Sequence, residues 1–165
     1  MDIKLLPAGE DVLIDTNIFI YYLSNLSPEC KEILRRIVRG ELNAFVTTVI
    51  VAELLHRRMM AEAVMKGLIS PGQTVKKLKA QPHLIQQLTD YITHVEMLVQ
   101  LPLQLIEITT VDIQSSHALR WTHGLFVNDS INLACALRLG ITNIATHDAD
   151  FNRVPNIRVW EPTDV

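Results

Sequence analysis

Short apolar runs that lead straight into helix-start signals recur along this chain, and that alternation constrains its fold more than any other feature. Val12-Leu13-Ile14, after the turn residues Pro7-Ala8-Gly9, predicts a buried strand over 11–15, and Ile18, Phe19, Tyr22 and Leu23 then recur at helical spacing. Ser27-Pro28 supplies an N-cap and a first-turn proline for a helix over 28–39, which Gly40 stops. Further strands are expected over 44–47, 103–108, 143–146 and 157–160, with helices over 49–66, 110–122 and 128–139. Between them, Ser70-Pro71-Gly72-Gln73 predicts a capping box opening a short basic helix, and one continuous helix is expected over 82–100. Strands alternating with helices read as an α/β domain on a parallel sheet of four to five short strands flanked by helices.

At 165 residues and 48% hydrophobic, the chain matches one domain with a sizeable core. No apolar run is long enough to span a bilayer and no export leader is evident, so a soluble protein without membrane attachment is expected. Cys30 and Cys135 have neither disulfide nor zinc spacing, and a reducing cytoplasm is the expected location. The net charge of −3 argues against wrapping nucleic acid by bulk electrostatics, although cations bound at acidic residues reverse the local field. The basic clusters Arg35-Arg36-Arg39, Arg57-Arg58 and Lys76-Lys77-Lys79 read first as solvated helix faces.

Open parallel sheets place chemistry at the carboxyl ends of their strands, and acids fall at those points here. Asp15 ends the first strand, Glu53 lies one turn into the helix after the second, Asp129 opens the helix before the fourth, and Asp148 and Asp150 follow the fourth. Each has a plain structural reading: Asp15 and Asp129 as N-caps, Glu53 as the i,i+4 partner of Arg57, and Asp148 and Asp150 as turn formers. Glu53 interrupts a strongly apolar stretch, where a buried lone carboxylate needs a partner or a metal. Asn132 places a polar floor near Asp129. Together the carboxylates would repel one another and raise their own pKa values, which hard divalent ions relieve by taking oxygen ligands. Phosphodiester hydrolysis uses such a set, with metal ions about 3.5–4 Å apart activating water and stabilising the leaving oxygen.

Ile14-Asp15-Thr16-Asn17, Thr48 to Glu53-Leu54, Asn128-Asp129 to Ala136, and Thr146-His147-Asp148-Ala149-Asp150-Phe151 followed by Val154-Pro155 resemble the ordered motifs of PIN-domain nucleases, especially VapC-type toxins. The resemblance implies a PIN-like three-layer fold over 1–165, with a helical elaboration over about 59–102. It implies an endoribonuclease dependent on Mg²⁺, or Mn²⁺, that cuts tRNA, rRNA or mRNA and leaves a 5′ phosphate and a 3′ hydroxyl. A cognate antitoxin and a homodimer are the partners it implies. By motif, Asp15 and Asp129 would be the principal metal ligands and Glu53 a further ligand or water-positioning group. Asp148 would be the fourth acid, with Asp150 the alternative, and Thr16, Asn17 and Thr146 would give polar support.

Two other readings compete. A haloacid-dehalogenase-like phosphatase also ends its first strand with Asp, but needs a second Asp where Asn17 stands. A non-catalytic PIN-fold binding module would gain little from several carboxylates on one edge. The six histidines show no zinc pairing, and only His147 adjoins the acids.

Overall fold

The computed structural model describes residues 1–72 and 74–165. Its centre is a five-stranded, all-parallel sheet of β1 (Asp11–Ile14), β2 (Asn43–Thr47), β3 (Leu103–Ile106), β4 (Asn143–Ala145) and β5 (Arg158–Trp160), in the order β3-β2-β1-β4-β5. The helices α1 (Thr16–Leu23), α2 (Pro28–Val38), α3 (Thr48–Met65), α4 (Thr74–Ala80), α5 (Pro82–Ile85), α6 (Asp90–Val99), α7 (Thr110–His123) and α8 (Val127–Arg138) supply the connections. Strand β1 is buried over Val12, Leu13 and Ile14, as a central parallel strand covered on both faces must be.

The strand order decides where chemistry can be built. From β1 the chain moves outward through β2 to β3, then crosses back to lay β4 on the other side of β1. The connections leaving β1 and β4 therefore diverge, which opens a crevice at the carboxyl ends of these two strands. The β1–β4 ladder continues one bond beyond the strands, from Asp15 N–H to the Ala145 carbonyl at 3.0 Å, so Asp15 and Thr146 emerge side by side.

Local signals account for several helix starts. Ser27 accepts from Cys30 N–H beside Pro28, Thr47 accepts from Ile50 N–H, and Thr109 with Asp112 closes a capping box on α7. The expected capping box at Gln73 lies outside the described residues.

The helix expected over 82–100 is two helices. Its interruption comes from α3: the buried Glu62 carboxylate accepts N–H bonds from Thr89 at 3.0 Å, Asp90 at 3.2 Å and Tyr91 at 2.8 Å, capping α6 from a distance, while Thr89 offers no side-chain cap. Burial opposes the ionised form of Glu62, but Lys66 and these N–H groups hold it down to about 2. Around this junction Ala63, Ile69, Leu78, Leu84 and Leu88 form a small apolar cluster separate from the main core, while Val95 and Leu98 of α6 join the main core. This helical segment thus carries an apolar cluster of its own and is anchored through α3 and α6. Among the described residues, no helix is long and apolar enough to cross a membrane.

Candidate active site

The site begins with Asp15, the N-cap of α1. Its Oδ1 accepts the N–H of Thr16, the first residue of the helix, at 2.7 Å. Its Oδ2 is held separately, by the Thr146 hydroxyl at 2.6 Å and Asn17 Nδ2 at 2.7 Å. The orientation of Asn17 is set by His147 N–H, which donates to Asn17 Oδ1 at 3.1 Å and so leaves the amide nitrogen for Asp15. Thr146 in turn accepts Asp148 N–H at 2.9 Å, which fixes the loop after β4 to the loop after β1. Asp15 thus caps a helix with one oxygen while side chains fix the other. The Thr16 hydroxyl is buried at this point with no hydrogen-bond partner.

Asp129 is not an N-cap. Phe126 holds that position without a side-chain cap bond, and Asp129 stands two residues inside α8. Burial and the charges of Asp15, Asp148, Glu53 and Asp150 raise its pKa to about 7. Burial likewise leads in raising Asp15 to about 6, with Glu53 and Asp148 adding to it against the hydrogen bonds of Thr146 and Thr16. All five acids therefore share one electrostatic neighbourhood.

They differ in their cationic partners. Glu53 lies half-exposed, 3.7 Å from Arg57 and 3.5 Å from Asn128 Nδ2, so it is not the buried lone carboxylate its apolar surroundings suggested. Asp150 pairs with Arg153 one turn on. Asp148 caps its own short 3₁₀ turn through Asp150 N–H at 2.9 Å, and among the described residues Asp15, Asp129 and Asp148 have no Lys or Arg partner. Among these residues, too, no group of three or more His, Cys, Asp or Glu side chains is set close enough together to hold a metal ion. The fold builds an open group of carboxylates in which three lack a counter-charge.

Asn132 is buried below Asp129 and accepts the Thr47 hydroxyl at 2.6 Å. Thr47 simultaneously caps α3, so this bond sets the helix carrying Glu53 against the helix carrying Asp129. His147 is exposed, with its ring edge-on to Tyr21 at 5.7 Å. Arg153 was not singled out by the sequence, although its i,i+3 spacing from Asp150 was a usable signal.

The PIN domain profile matches residues 12–157 of the sequence, a span that holds every acid of the site. The chain belongs to the PIN-domain family. Among solved structures, a toxin–antitoxin complex from Klebsiella pneumoniae is similar at 21% identity and TM-score 0.60, covering 93% of this chain and 99% of that one. VapBC2 from Rickettsia felis, bound to a DNA fragment from its promoter, is similar at 13% identity and TM-score 0.60, covering 92% and 98%. VapC20 from Mycobacterium tuberculosis, described as a sarcin–ricin loop cleaving toxin, is similar at 10% identity and TM-score 0.56, covering 86% and 92%. At these identities the likeness establishes the PIN fold. No curated protein sequence matches the chain.

Proposed function

We propose that this PIN-domain protein is a divalent-metal-dependent endoribonuclease, the toxin of a VapBC-type toxin–antitoxin pair that acts in the cytoplasm. The observation that carries the reading is the convergence of Asp15 and Asp129 at the topological switch point, both with pKa values raised by burial and by neighbouring carboxylates rather than relieved by a cation. The unpartnered buried Thr16 hydroxyl and the all-oxygen donor set fit a hard ion such as Mg²⁺, with Mn²⁺ also accommodated. Asp15 and Asp129 would hold it, Asp148 would complete the acid set, and Asp150 is engaged by Arg153. A bound divalent ion supplies Lewis-acid polarisation of the scissile phosphate and makes water acidic enough to act as nucleophile near neutral pH.

The chain's own groups do the positioning. Thr146 and Asn17 fix Asp15 Oδ2, so that little reorientation is needed when a cation or phosphate arrives. Glu53, half-exposed and only loosely held by Arg57, is placed to orient the attacking water and take its proton, leaving a 5′ phosphate and a 3′ hydroxyl. Asn17 is committed to Asp15 and His147, which leaves no second carboxylic acid for aspartyl-phosphate chemistry.

VapBC complexes among the structural neighbours support a cognate antitoxin as partner, and the family supports a homodimer with tRNA, rRNA or mRNA as substrate. The test is incubation of antitoxin-free protein with total RNA, purified tRNA and single-stranded DNA, with Mg²⁺ or Mn²⁺, with chelator, and with Asp129→Asn. RNA cleavage that chelator and substitution both abolish is expected. Folded protein that cuts none of these substrates would refute the reading in favour of a non-catalytic binding module.

A further inference from the structure

The site described above accounts for the acids but not for two exposed aromatic side chains at the turn before the helix that carries Asp129. Of the chain's nine Phe, Tyr and Trp residues, Trp121 and Phe126 alone are exposed, at 93% and 76%, while the others are buried or half-buried. Both bracket the turn between α7 and α8: Trp121 lies in the last turn of α7, and Phe126 is the N-cap residue of the helix that carries Asp129. Exposing two large aromatic faces forgoes a sizeable hydrophobic gain, and neither one packs against the core.

The turn is also cationic. Arg120, next to Trp121, donates to the hydroxyls of Ser116 at 2.9 Å and Ser130 at 3.0 Å. Among the described residues no carboxylate neutralises it. These bonds tie the neighbour of Trp121 to the neighbour of Asp129. Arg153 reaches back over the turn: a Cβ on Gly124 would stand 3.2 Å from Arg153 Nη1, and the φ of +67° at Gly124 is what favours glycine there. The turn thus sets one guanidinium without a carboxylate partner, Arg120, and two bare aromatic faces before the helix that carries Asp129, while Arg153 is paired with Asp150.

A second copy of the chain is the less suitable occupant. The other exposed apolar residues of α7, Val111 and Ile113, are two or more turns away at its first end, and exposed Gln114, Ser115 and His117 intervene. Val127, exposed beside Phe126, is the apolar neighbour on the α8 side, short of the broad aliphatic face that a stable protein interface buries.

We infer that Trp121 and Phe126 form a base-stacking platform for single-stranded RNA, with Arg120 contacting its phosphates, so that the strand is led toward the acid site. Stacking needs unpaired bases with open π faces, so the platform selects loops and single strands over duplex. The inference rests on the RNA-cleaving reading of the site, but its test does not depend on cleavage.

The probes are fluorescein-labelled oligoadenylate and oligouridylate and a duplex formed from the two, followed by anisotropy against the full chain carrying Asp129→Asn. Trp160 is buried, so quenching of tryptophan emission reports Trp121. Single strands are expected to quench it and to bind more tightly than the duplex. Trp121→Ala and Phe126→Ala should each weaken single-strand binding roughly fivefold to a hundredfold. Trp121→Phe should restore most of the affinity, and thermal midpoints should not change because both side chains are exposed. Equal binding by the alanine variants, or duplex preferred over single strand, would overturn the platform. So would loss of self-association in Trp121→Ala without loss of RNA binding, which would assign the surface to a second copy. RNA binding through Trp121 in a parent protein that cuts no RNA would sink the nuclease reading and leave the platform standing.

Discussion

Asp129→Asn is expected to make the metal-free protein more stable at alkaline pH, although it removes a group central to the proposed activity. In the fold, burial and four neighbouring acids raise Asp129 from 3.8 to about 7. Between those values the folded protein retains a proton that the unfolded chain has released. Folding stability therefore falls as pH rises from about 4 to about 7, and the loss is complete above about 7. A displacement of that size corresponds to at most ~4 kcal/mol. Asp129 borders solvent and shares its repulsion with Asp15, so about half, ~2 kcal/mol, is the expected gain. The assay is urea denaturation of parent and variant in chelator at a series of pH values. The variant's advantage should grow from about pH 4 to about pH 7 and then level off. Added Mg²⁺ at the alkaline end should stabilise the parent and leave the variant unchanged, since only a folded site with its full charge binds the ion. An advantage independent of pH, or a parent more stable than the variant in chelator at about pH 8, would refute the account of a repulsive acid group.

Other expectations follow from the same geometry. Asp148→Asn should reduce Mn²⁺ affinity, measured by titration calorimetry, more than Asp150→Asn, because Asp150 is engaged by Arg153; the reverse order would assign the fourth acid to Asp150. Asn132→Ala removes the acceptor of the buried Thr47 hydroxyl and should cost about 1–2 kcal/mol in urea denaturation, with RNA cleavage falling as α3 and α8 lose their register. An active variant of unchanged stability would contradict that role. Glu62→Gln should cost about 2–3 kcal/mol and accelerate hydrogen exchange at Thr89, Asp90 and Tyr91. Because Glu62 is held down to about 2, its contribution is present above the ordinary carboxylate range and lost as pH falls toward that value, so parent and variant should converge in acid.

Much of the molecule was legible in the sequence because its signals are local. Five apolar runs became the five strands, shifted by a residue or two at their ends, and cap residues such as Ser27, Thr47 and Thr109 lie where their hydrogen bonds are needed. The five acids were identifiable because strand ends in a parallel sheet are predictable and ordered motifs mark them. The break in the helix expected over 82–100 was not legible, since the group that caps α6 is Glu62, distant in sequence.

By itself the sequence determined the alternation of strand and helix, and with it a parallel sheet having acids at its carboxyl edge, because propensity, capping and apolar periodicity act within a few residues. Tertiary structure alone decided the rest. The order β3-β2-β1-β4-β5 brings Asp15 to Thr146, 131 positions apart, and makes one carboxylate's environment depend on four others. It also separates acids that look alike in sequence: Arg57 and Arg153 attend Glu53 and Asp150, while Asp15 and Asp129 are left with each other's charge. Such distinctions depend on distance and burial, and these exist only once the chain has closed on itself.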